Sequence, residues 1–313
     1  MALFQNKGVS AVIDCAVGFP QMRAAYNSNF SYLGMVGDKD FNYLEMKNLN
    51  LALGQTSIPH YLLVYEGKHD WPSVAVMRDG FEFLFFNAMR QNPALKDKDL
   101  IDVFLAQQDS IREKASREND LEKLAATDEK VLAFLEGLTP LEKYKKELVS
   151  IRKNPAYIEF QAAKKKSLEL ECSRQQQYAS AMPEKSLQWW LKEVNKLIQK
   201  QDDPVNQRLL NDLSLVSYMY ASGTLKNNQF KEAEKYLTIY EKVDPKNPEV
   251  YFLKAVLLAR TGNAEQAILQ LQKAADNGFD EYARMKNSKD FNGFQDDEAF
   301  EKILLQIRDK SEQ

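Results

Sequence analysis

Two short polar segments carry the residue types that could do acid–base chemistry. Asp38 and Asp40 lie in the sequence VGDKD at 36–40, and His69 lies in EGKHD at 66–70. A carboxylate that accepts a hydrogen bond from one imidazole nitrogen fixes the tautomer of the ring, so that the other nitrogen can take a proton from a nucleophile. We therefore predict that a carboxylate of the first segment and His69 of the second could form such a pair.

Both polar segments lie at the end of apolar runs that are typical of buried strands. These runs cover residues 32–37 and 60–67, and a further apolar run at 11–18 precedes them. Short continuous apolar runs suit strands whose two faces are both covered, as in a parallel sheet.

Helices are predicted between and after these strands. Residues 41–53 place apolar side chains near one face, and Gly54 follows near the expected C′ position. Ser73 is a suitable N-cap for a helix that reaches residue 92, and a shorter helical segment is predicted at 21–27. The alternation of strands and helices predicts parallel strands with right-handed crossovers, which would place Asp40 and His69 on adjacent loops.

In their order and spacing, these segments resemble the last three strands of an α/β-hydrolase, in the branch with dienelactone-hydrolase, esterase and prolyl-oligopeptidase-like members. The resemblance covers residues 1–92. It implies serine hydrolase chemistry on esters or peptides, with no cofactor. The triad base implied is His69, and the acid implied is Asp40, with Asp38 as the alternative. The sequence contains no Gly-x-Ser-x-Gly elbow, so the nucleophile is not in this chain. We expect a truncated sheet, with an upstream segment before Met1 that supplies the serine.

Other interpretations of the same polar residues are available. Asp38, Asp40, His69 and Asp70 are ligand types that a metal could use, but their spacing favours the hydrolase interpretation. We expect His60 to be structural, and we expect Trp71 to pack beside the loop that carries His69.

The composition argues against several classes of protein. The 42 Lys and Arg residues and 45 Asp and Glu residues are interspersed and give a net charge of −3, which does not indicate a nucleic-acid partner. No apolar run reaches the length of a membrane span, and residues 1–7 lack the pattern of a signal peptide. Two distant cysteines do not indicate a disulfide framework. Resemblance to hydrolases with appended repeats is compatible with export of an intact protein whose signal lies upstream.

Long charged helices are predicted after the α/β segment. They cover residues 97–118, 119–136 and 141–181, the last being a long helix or a helix pair interrupted by Pro155. Pro183 separates them from a helix with Trp189 and Trp190. The run Lys164-Lys-Lys166 is predicted to form a solvated face.

The last third of the chain contains an internal repeat. KEAEKYL at 231–237 and EQAILQL at 265–271 align at Ala233 and Ala267, which are 34 residues apart. This spacing is the tetratricopeptide period. Lys254, Ser217 and Tyr240 depart from the residue sizes that are usual in such repeats, and residues 278–307 are predicted to close the solenoid with two helices.

The fold class predicted is an α/β N-terminal partial parallel sheet followed by an all-α tetratricopeptide-like region. The domains predicted are a partial hydrolase domain at 1–92, a helical connector at 93–200 and repeats with capping helices at 201–313. The function predicted is the C-terminal part of a serine hydrolase joined to a scaffold that binds a protein or peptide through its repeats, inactive alone. Two alternatives are a hydrolase that an upstream chain completes, and a non-enzymatic adaptor.

Overall fold

The computed structural model describes residues 8–16 and 30–311, and the chain divides into two compact units, Met1–Cys172 and Ser173–Gln313. The helical segment predicted at 21–27 and the end of the strand predicted at 11–18 lie outside the described residues. The three-domain division at 1–92, 93–200 and 201–313 remains a prediction. None of the described helices is long and apolar enough to span a membrane.

A three-stranded parallel sheet opens the first unit, as the apolar runs predicted. The strands lie in the order β1-β2-β3 and pair with Ile13 opposite Leu33 and Leu33 opposite Tyr61. Every residue of the central strand is buried, which explains its continuous apolar sequence. The bounds are β1 Ala11–Cys15, β2 Ser31–Gly37 and β3 His60–Tyr65.

Two helices cover opposite faces of the sheet: α1, Tyr43–Leu53, and α2, Val74–Gln91. A Cβ at Gly34 would lie 2.8 Å from the Met46 side chain of α1, whereas a Cβ at Gly80 of α2 would lie 2.2 Å from the Met35 side chain. Because successive side chains of a strand point to opposite faces, residues 34 and 35 place α1 and α2 on different sides. The two glycines let the helices approach the sheet closely.

The ends of these helices agree only in part with expectation. Ser73 caps α2, since its hydroxyl accepts a hydrogen bond from the Val76 N–H at 3.4 Å. Gly54 follows α1 as predicted, but its φ of −61° is right-handed. The chain leaves α1 through a tight turn, in which the Gly54 N–H donates to the Asn50 carbonyl at 3.1 Å.

A short 3-10 helix, Pro93–Leu95, and four more α-helices begin in the described part of the first unit. Their main core contains aromatic rings of α2, α3 and α4, with Phe134 lying 5.2 Å from Phe83 and 5.3 Å from Phe104 between ring centroids. The interruption predicted at Pro155 is confirmed, since one helix ends at Arg152 and the next begins at Pro155. Pro183 lies in the last turn of that second helix, which ends at Glu184 and is separated, as predicted, from the helix that carries Trp189 and Trp190. The helices are α3 Lys98–Arg117, α4 Leu121–Leu135, α5 Glu142–Arg152 and α6 Pro155–Glu184.

A buried arginine joins three of these helices. Arg112 of α3 lies 2.9 Å from the Asp109 carboxylate and 2.6 Å from Asp128 of α4, and it also bonds to Glu147 of α5. Burial raises the pKa of Asp128 to about 6, although the Arg112 charge opposes this rise. One oxygen of Asp128 is buried without a hydrogen bond, which is consistent with a carboxyl that binds its proton firmly.

The second unit is built from helix pairs with the predicted repeat. Asn228 and Gly262 both have a positive φ, 56° and 81°, at turns that are one 34-residue period apart. Ala233 and Ala267 are fully buried where the helices of each pair meet. The repeat prediction is confirmed. The helices are α7 Leu187–Ile198, α8 Pro204–Lys226, α9 Phe230–Val243, α10 Pro248–Arg260 and α11 Ala264–Asp276.

A closing segment follows α11, and its first part is not one continuous helix. It consists of α12, Tyr282–Lys286, a 3-10 helix, Lys289–Phe294, and α13, Glu298–Ser311. Phe252 of α10 stacks on Phe279 with ring centroids 4.7 Å apart and contacts Phe291 at 5.7 Å. These aromatic contacts cover the last repeat, which is the role that the sequence predicted for this segment.

Candidate functional site

The loops after β2 and β3 are held together by backbone hydrogen bonds that extend beyond the strands. The Asp38 N–H donates to the Tyr65 carbonyl at 2.8 Å, and the Lys39 N–H donates to the Gly67 carbonyl at 2.9 Å. A Cβ at Gly37 would lie 2.3 Å from the Gly67 carbonyl oxygen. Position 37 therefore needs glycine, because two backbones meet there.

Asp40 is fully buried at the centre of this junction. Its Oδ1 accepts a hydrogen bond from the Asn42 N–H at 2.8 Å, which fixes the carboxylate in a local turn. His69 Nδ1 lies 3.1 Å from Oδ2 and 3.2 Å from Oδ1 of Asp40. Asp38, the alternative acid, accepts from the Gly67 N–H at 2.9 Å. The structure thus brings His69 to Asp40 and uses Asp38 to fasten the loops.

The surroundings of the pair set its electrostatics. Burial raises the pKa of the Asp40 carboxyl, while the Asn42 N–H and His69 oppose the rise and the nearby Asp70 adds to it. An ionised carboxylate can only accept, so toward ionised Asp40 the donor is His69 Nδ1, and in a neutral imidazole the lone pair is then on Nε2. Phe41 stacks on the imidazole at 4.5 Å and steadies the ring. The arrangement can act as an oriented general base.

Other residues near the pair differ in how well they were predicted. Trp71 is 84% exposed, so the prediction that it packs beside the histidine loop is wrong. That loop is held instead by the Tyr65 hydroxyl, which donates to the Asp70 carbonyl at 2.7 Å. His60, the first residue of β3, has its Nδ1 2.8 Å from the carbonyl of Ile58 in the preceding loop. Within residues 8–16 and 30–311, no three His, Cys, Asp or Glu side chains are arranged to hold a metal.

The sequence did not indicate a cleft of about 870 Å³ beside α1, β3, α4 and α6. Lys164 lines it and bonds to Glu122, so the prediction that residues 164–166 form a wholly solvated face is wrong for Lys164. Burial and the Lys164 charge lower the pKa of Lys47, another lining residue. One sequence signal could have indicated that Lys164 faces the protein. Leu168, an apolar residue one turn further along α6, lies on the same side of the helix and packs against the core beneath α1.

The repeats present a second candidate surface. Leu215 and Met219 lie one turn apart on α8, the first helix of the first pair, and both are exposed. Exposed apolar side chains that are adjacent on one helix can form the centre of a protein contact. Leu215 and Met219 do not stand out in the sequence, because there they cannot be distinguished from the core positions of the same helix.

Comparison with known proteins supports one part of the sequence analysis. Residues 224–289 match the family model of the tetratricopeptide repeat, a span that runs from the end of α8 to the closing segment. No curated protein and no solved structure matches the chain. The chain therefore contains a tetratricopeptide repeat. None of these comparisons supports the resemblance of residues 1–92 to a hydrolase.

Proposed function

We propose that the chain is a protein-interaction scaffold whose repeats bind a segment of another protein, and whose first unit carries a hydrolase-type acid–base pair without its own nucleophile. The observation that carries the interaction role is the tetratricopeptide match at 224–289. Stacked repeats of this kind present extended binding surfaces. We assign the contact to α8, because Leu215 and Met219 are exposed there.

A pair of charge substitutions tests the binding surface. Leu215→Glu with Met219→Glu places charges where we expect an apolar partner segment, and Leu269→Glu on α11 is the matched control, since Leu269 is also exposed. Quantitative mass spectrometry should find proteins that bind the native chain and the Leu269 variant but not the α8 double variant. Circular dichroism should show that all three chains fold alike. Equal capture by the α8 variant and the native chain would contradict this surface.

The second candidate function is serine hydrolysis, completed by a separate segment that carries the nucleophile. The 3.1 Å contact between His69 and buried Asp40 supports it, because the remaining nitrogen of His69 is then a base toward a serine hydroxyl. A carboxylate and an imidazole alone lack both the nucleophile and the oxyanion donors. We expect the chain alone to be inactive.

Labelling with a fluorophosphonate separates these possibilities. The chain alone should stay unlabelled, and specific labelling of it would show that it has a nucleophile of its own. If a nucleophile-bearing segment completes the site, His69→Ala and Asp40→Asn should abolish labelling of that segment, whereas His60→Gln should not. For a purely non-enzymatic adaptor, His69→Ala should leave every measured property unchanged.

Nuclear magnetic resonance can test the geometry of the pair without activity. The chain has two histidines, so its imidazole spectrum contains only two spin systems. In the native chain His69 should be the tautomer with the proton on Nδ1, as required by its contact with Asp40. Asp40→Asn should change the signals of His69 and leave those of His60 unchanged. Unchanged His69 signals would mean that the carboxylate does not orient this ring.

A further inference from the structure

The outer edge of β1 is open among the described residues. The Ser31 N–H donates to the Ser10 carbonyl and the Ala16 N–H donates to the Met35 carbonyl, so the even-numbered residues of β1 bond to β2. Backbone groups alternate along a strand, and those of Ala11, Ile13 and Cys15 therefore point away from β2. No other described strand pairs with this side. An open strand edge is a template for another strand.

An apolar stripe on α2 lies exposed in the first unit. It consists of Val74, Phe81 and Phe85, whose exposed fractions are 88%, 59% and 44%. Positions 74, 81 and 85 fall on one side of a helix. We call these three residues the α2 stripe.

The opposite flank of α2 faces α4, which fixes where the stripe lies. Asp79 of α2 pairs with Lys130 of α4 at 2.8 Å, and Arg90 donates to carbonyls of α4. Phe134 of α4 packs on Tyr61 of β3 at 5.3 Å, so α4 covers the β3 side of the sheet. The stripe, on the other flank, therefore lies on the β1 side. The open edge and the α2 stripe belong to one surface.

We propose that a second copy of this chain binds this surface, with the β1 strands of the two copies antiparallel about a two-fold axis at Ile13. The outward backbone groups are symmetric about that residue. Ile13 would pair with Ile13 of the second copy, and Ala11 with Cys15 of the second copy. Each such pair exchanges two hydrogen bonds, so all the outward groups of β1 find partners. The interface is self-complementary, as two-fold symmetry requires.

The same two-fold axis would also bring the α2 helices of the two copies into contact. A Cβ at Gly80 would lie 3.7 Å from the Ile13 side chain, so Phe81 is at the level of the axis. An axis normal to the sheet keeps both α2 helices on one face and makes them antiparallel. Phe81 then meets Phe81 of the second copy, and Val74 meets Ala88 of the second copy, each seven residues from Phe81. Helices that pack through such side chains are about 8–10 Å apart.

The available area is sufficient for a stable pair. A buried aromatic side chain contributes about 150–250 Å², and the exposed fractions of the α2 stripe give several hundred Å² over two copies. The two strand edges bring the total to the order of 1,000 Å², which specific interfaces reach. The repeats take no part, so the proposal is independent of their binding function. A strand that completes a hydrolase sheet at β1 would compete with the second copy.

Measurement of the molar mass in solution tests the proposal. Light scattering or sedimentation equilibrium of the native chain should give twice the 36.0 kDa of one chain. Phe81→Glu should reduce this to the mass of one chain, because two like charges would meet at the axis. Leu51→Glu is the matched control, since Leu51 is exposed on α1 on the other face of the sheet, and this variant should stay dimeric.

Cross-linking gives a second measurement, which does not require a substitution that weakens the proposed dimer. Phe81→Cys with diamide as the oxidant should form a disulfide between two copies, whereas Leu51→Cys should not exceed the background from the native cysteines. Three results would overturn the proposal. They are a monomeric native chain, a Phe81→Glu variant that stays dimeric, and a Phe81→Cys variant that links no better than the Leu51 control.

Discussion

The two compact units hold their elements together by opposite means. In the first unit two loop backbones meet at Gly37 and enclose the buried carboxylate of Asp40. In the second unit, whole helices meet at the buried methyl groups of Ala233 and Ala267. The contact between loop backbones at Gly37 occurs once and holds one particular side chain, Asp40. The contact between helices recurs in each repeat of the second unit. The comparison indicates that the first unit is more sensitive to a single backbone change.

Two ion pairs, one from each unit, differ in how deeply they are buried. Arg112 and Asp128 are buried together in the first unit, but in the second unit Arg260 and Asp290 pair near solvent. A buried charge depends strongly on its partners, whereas an exposed pair contributes little to stability. Changes of pH should therefore affect the first unit more than the second.

The largest effect is expected from a methyl group at the loop junction. In Gly37→Ala the new Cβ would meet the carbonyl oxygens of Gly67 and Lys68 at 2.3 and 2.5 Å. Backbone atoms cannot rotate away, so the overpacked junction should lower the free energy of unfolding of the first unit by about 3 kcal/mol. Hydrogen exchange with mass spectrometry can measure this for each unit separately.

A glycine of the second unit is the control for that substitution. Gly223 lies within α8, and a Cβ there would meet nothing within 4 Å. Gly223→Ala should raise the stability of the repeats by about 0.5–1 kcal/mol, because alanine favours the helix. If both alanine substitutions changed stability by the same sign and size, the contrast between the units would be wrong.

The repeats should be more sensitive where two helices of a pair meet. Ala267 is fully buried on α11, and Ala264 on the same helix is exposed. Ala267→Leu should lower the free energy of unfolding of the second unit by about 2 kcal/mol through overpacking. Ala264→Leu should change it by less than about 0.5 kcal/mol. Thermal unfolding of the two variants measures the difference. Equal destabilisation by both variants would show that the 34-residue period does not mark the buried contact between the helices of a pair.

A pH series should separate the buried charges from the exposed ones. Burial raises the pKa of Asp128 to about 6 in the folded chain, against an ordinary value of 3.8. The folded state therefore binds a proton more firmly than the unfolded state, and the free energy of unfolding of the first unit should fall by about 1–2 kcal/mol as pH rises from 3.8 to about 6. Denaturant titrations at several pH values measure this slope.

The slope has its own control in Asp128→Asn. Asparagine keeps the shape of the side chain but has no proton to lose in this range, so the fall assigned to Asp128 should disappear. The second unit, followed by its own hydrogen exchange, should not show this fall. If the Asp128→Asn variant kept the full dependence of its unfolding free energy on pH, another carboxyl of the first unit would be responsible for it.

The sequence predicted the sheet and the repeat because both depend on short-range patterns. The apolar runs ending near Gly37 and Tyr65 are strands because each is long enough to cross one buried layer. The alanines at 233 and 267 mark a period that needs no knowledge of distant contacts. The prediction that Asp40 and His69 lie on adjacent loops follows from parallel topology, whereas their catalytic roles remain a prediction.

Features that depend on tertiary neighbours could not be predicted in the same way. The α2 helix has apolar residues on almost every side, so its sequence does not tell buried Phe83 and Phe86 from exposed Phe81 and Phe85. Lys164 lines a cleft because α6 lies beside α1. The spacing of Lys164 and Leu168 hints at a buried face of α6, but it does not say which element that face packs against. Such contacts involve residues that are distant in sequence.

The smallest effect concerns Arg284, which joins the closing segment to the last repeat. Its guanidinium donates two hydrogen bonds to the Glu249 carboxylate, at 2.8 and 2.5 Å, and lies 4.3 Å from the ring centre of Phe252. Lysine cannot donate in this forked geometry or stack its flat face on the ring. Arg284→Lys should therefore lower the free energy of unfolding of the second unit by about 1 kcal/mol.

The matched control is Arg152→Lys in the first unit, because Arg152 makes one 2.8 Å contact with Glu129 and both side chains are largely exposed. An exposed pair with a single contact should lose less than about 0.5 kcal/mol. Denaturant unfolding of both variants gives the comparison. If Arg152→Lys cost as much as Arg284→Lys, exposed ion pairs would matter equally in both units. A larger loss for Arg284→Lys would mean that the forked contact, which spans two helices, stabilises the end of the repeats.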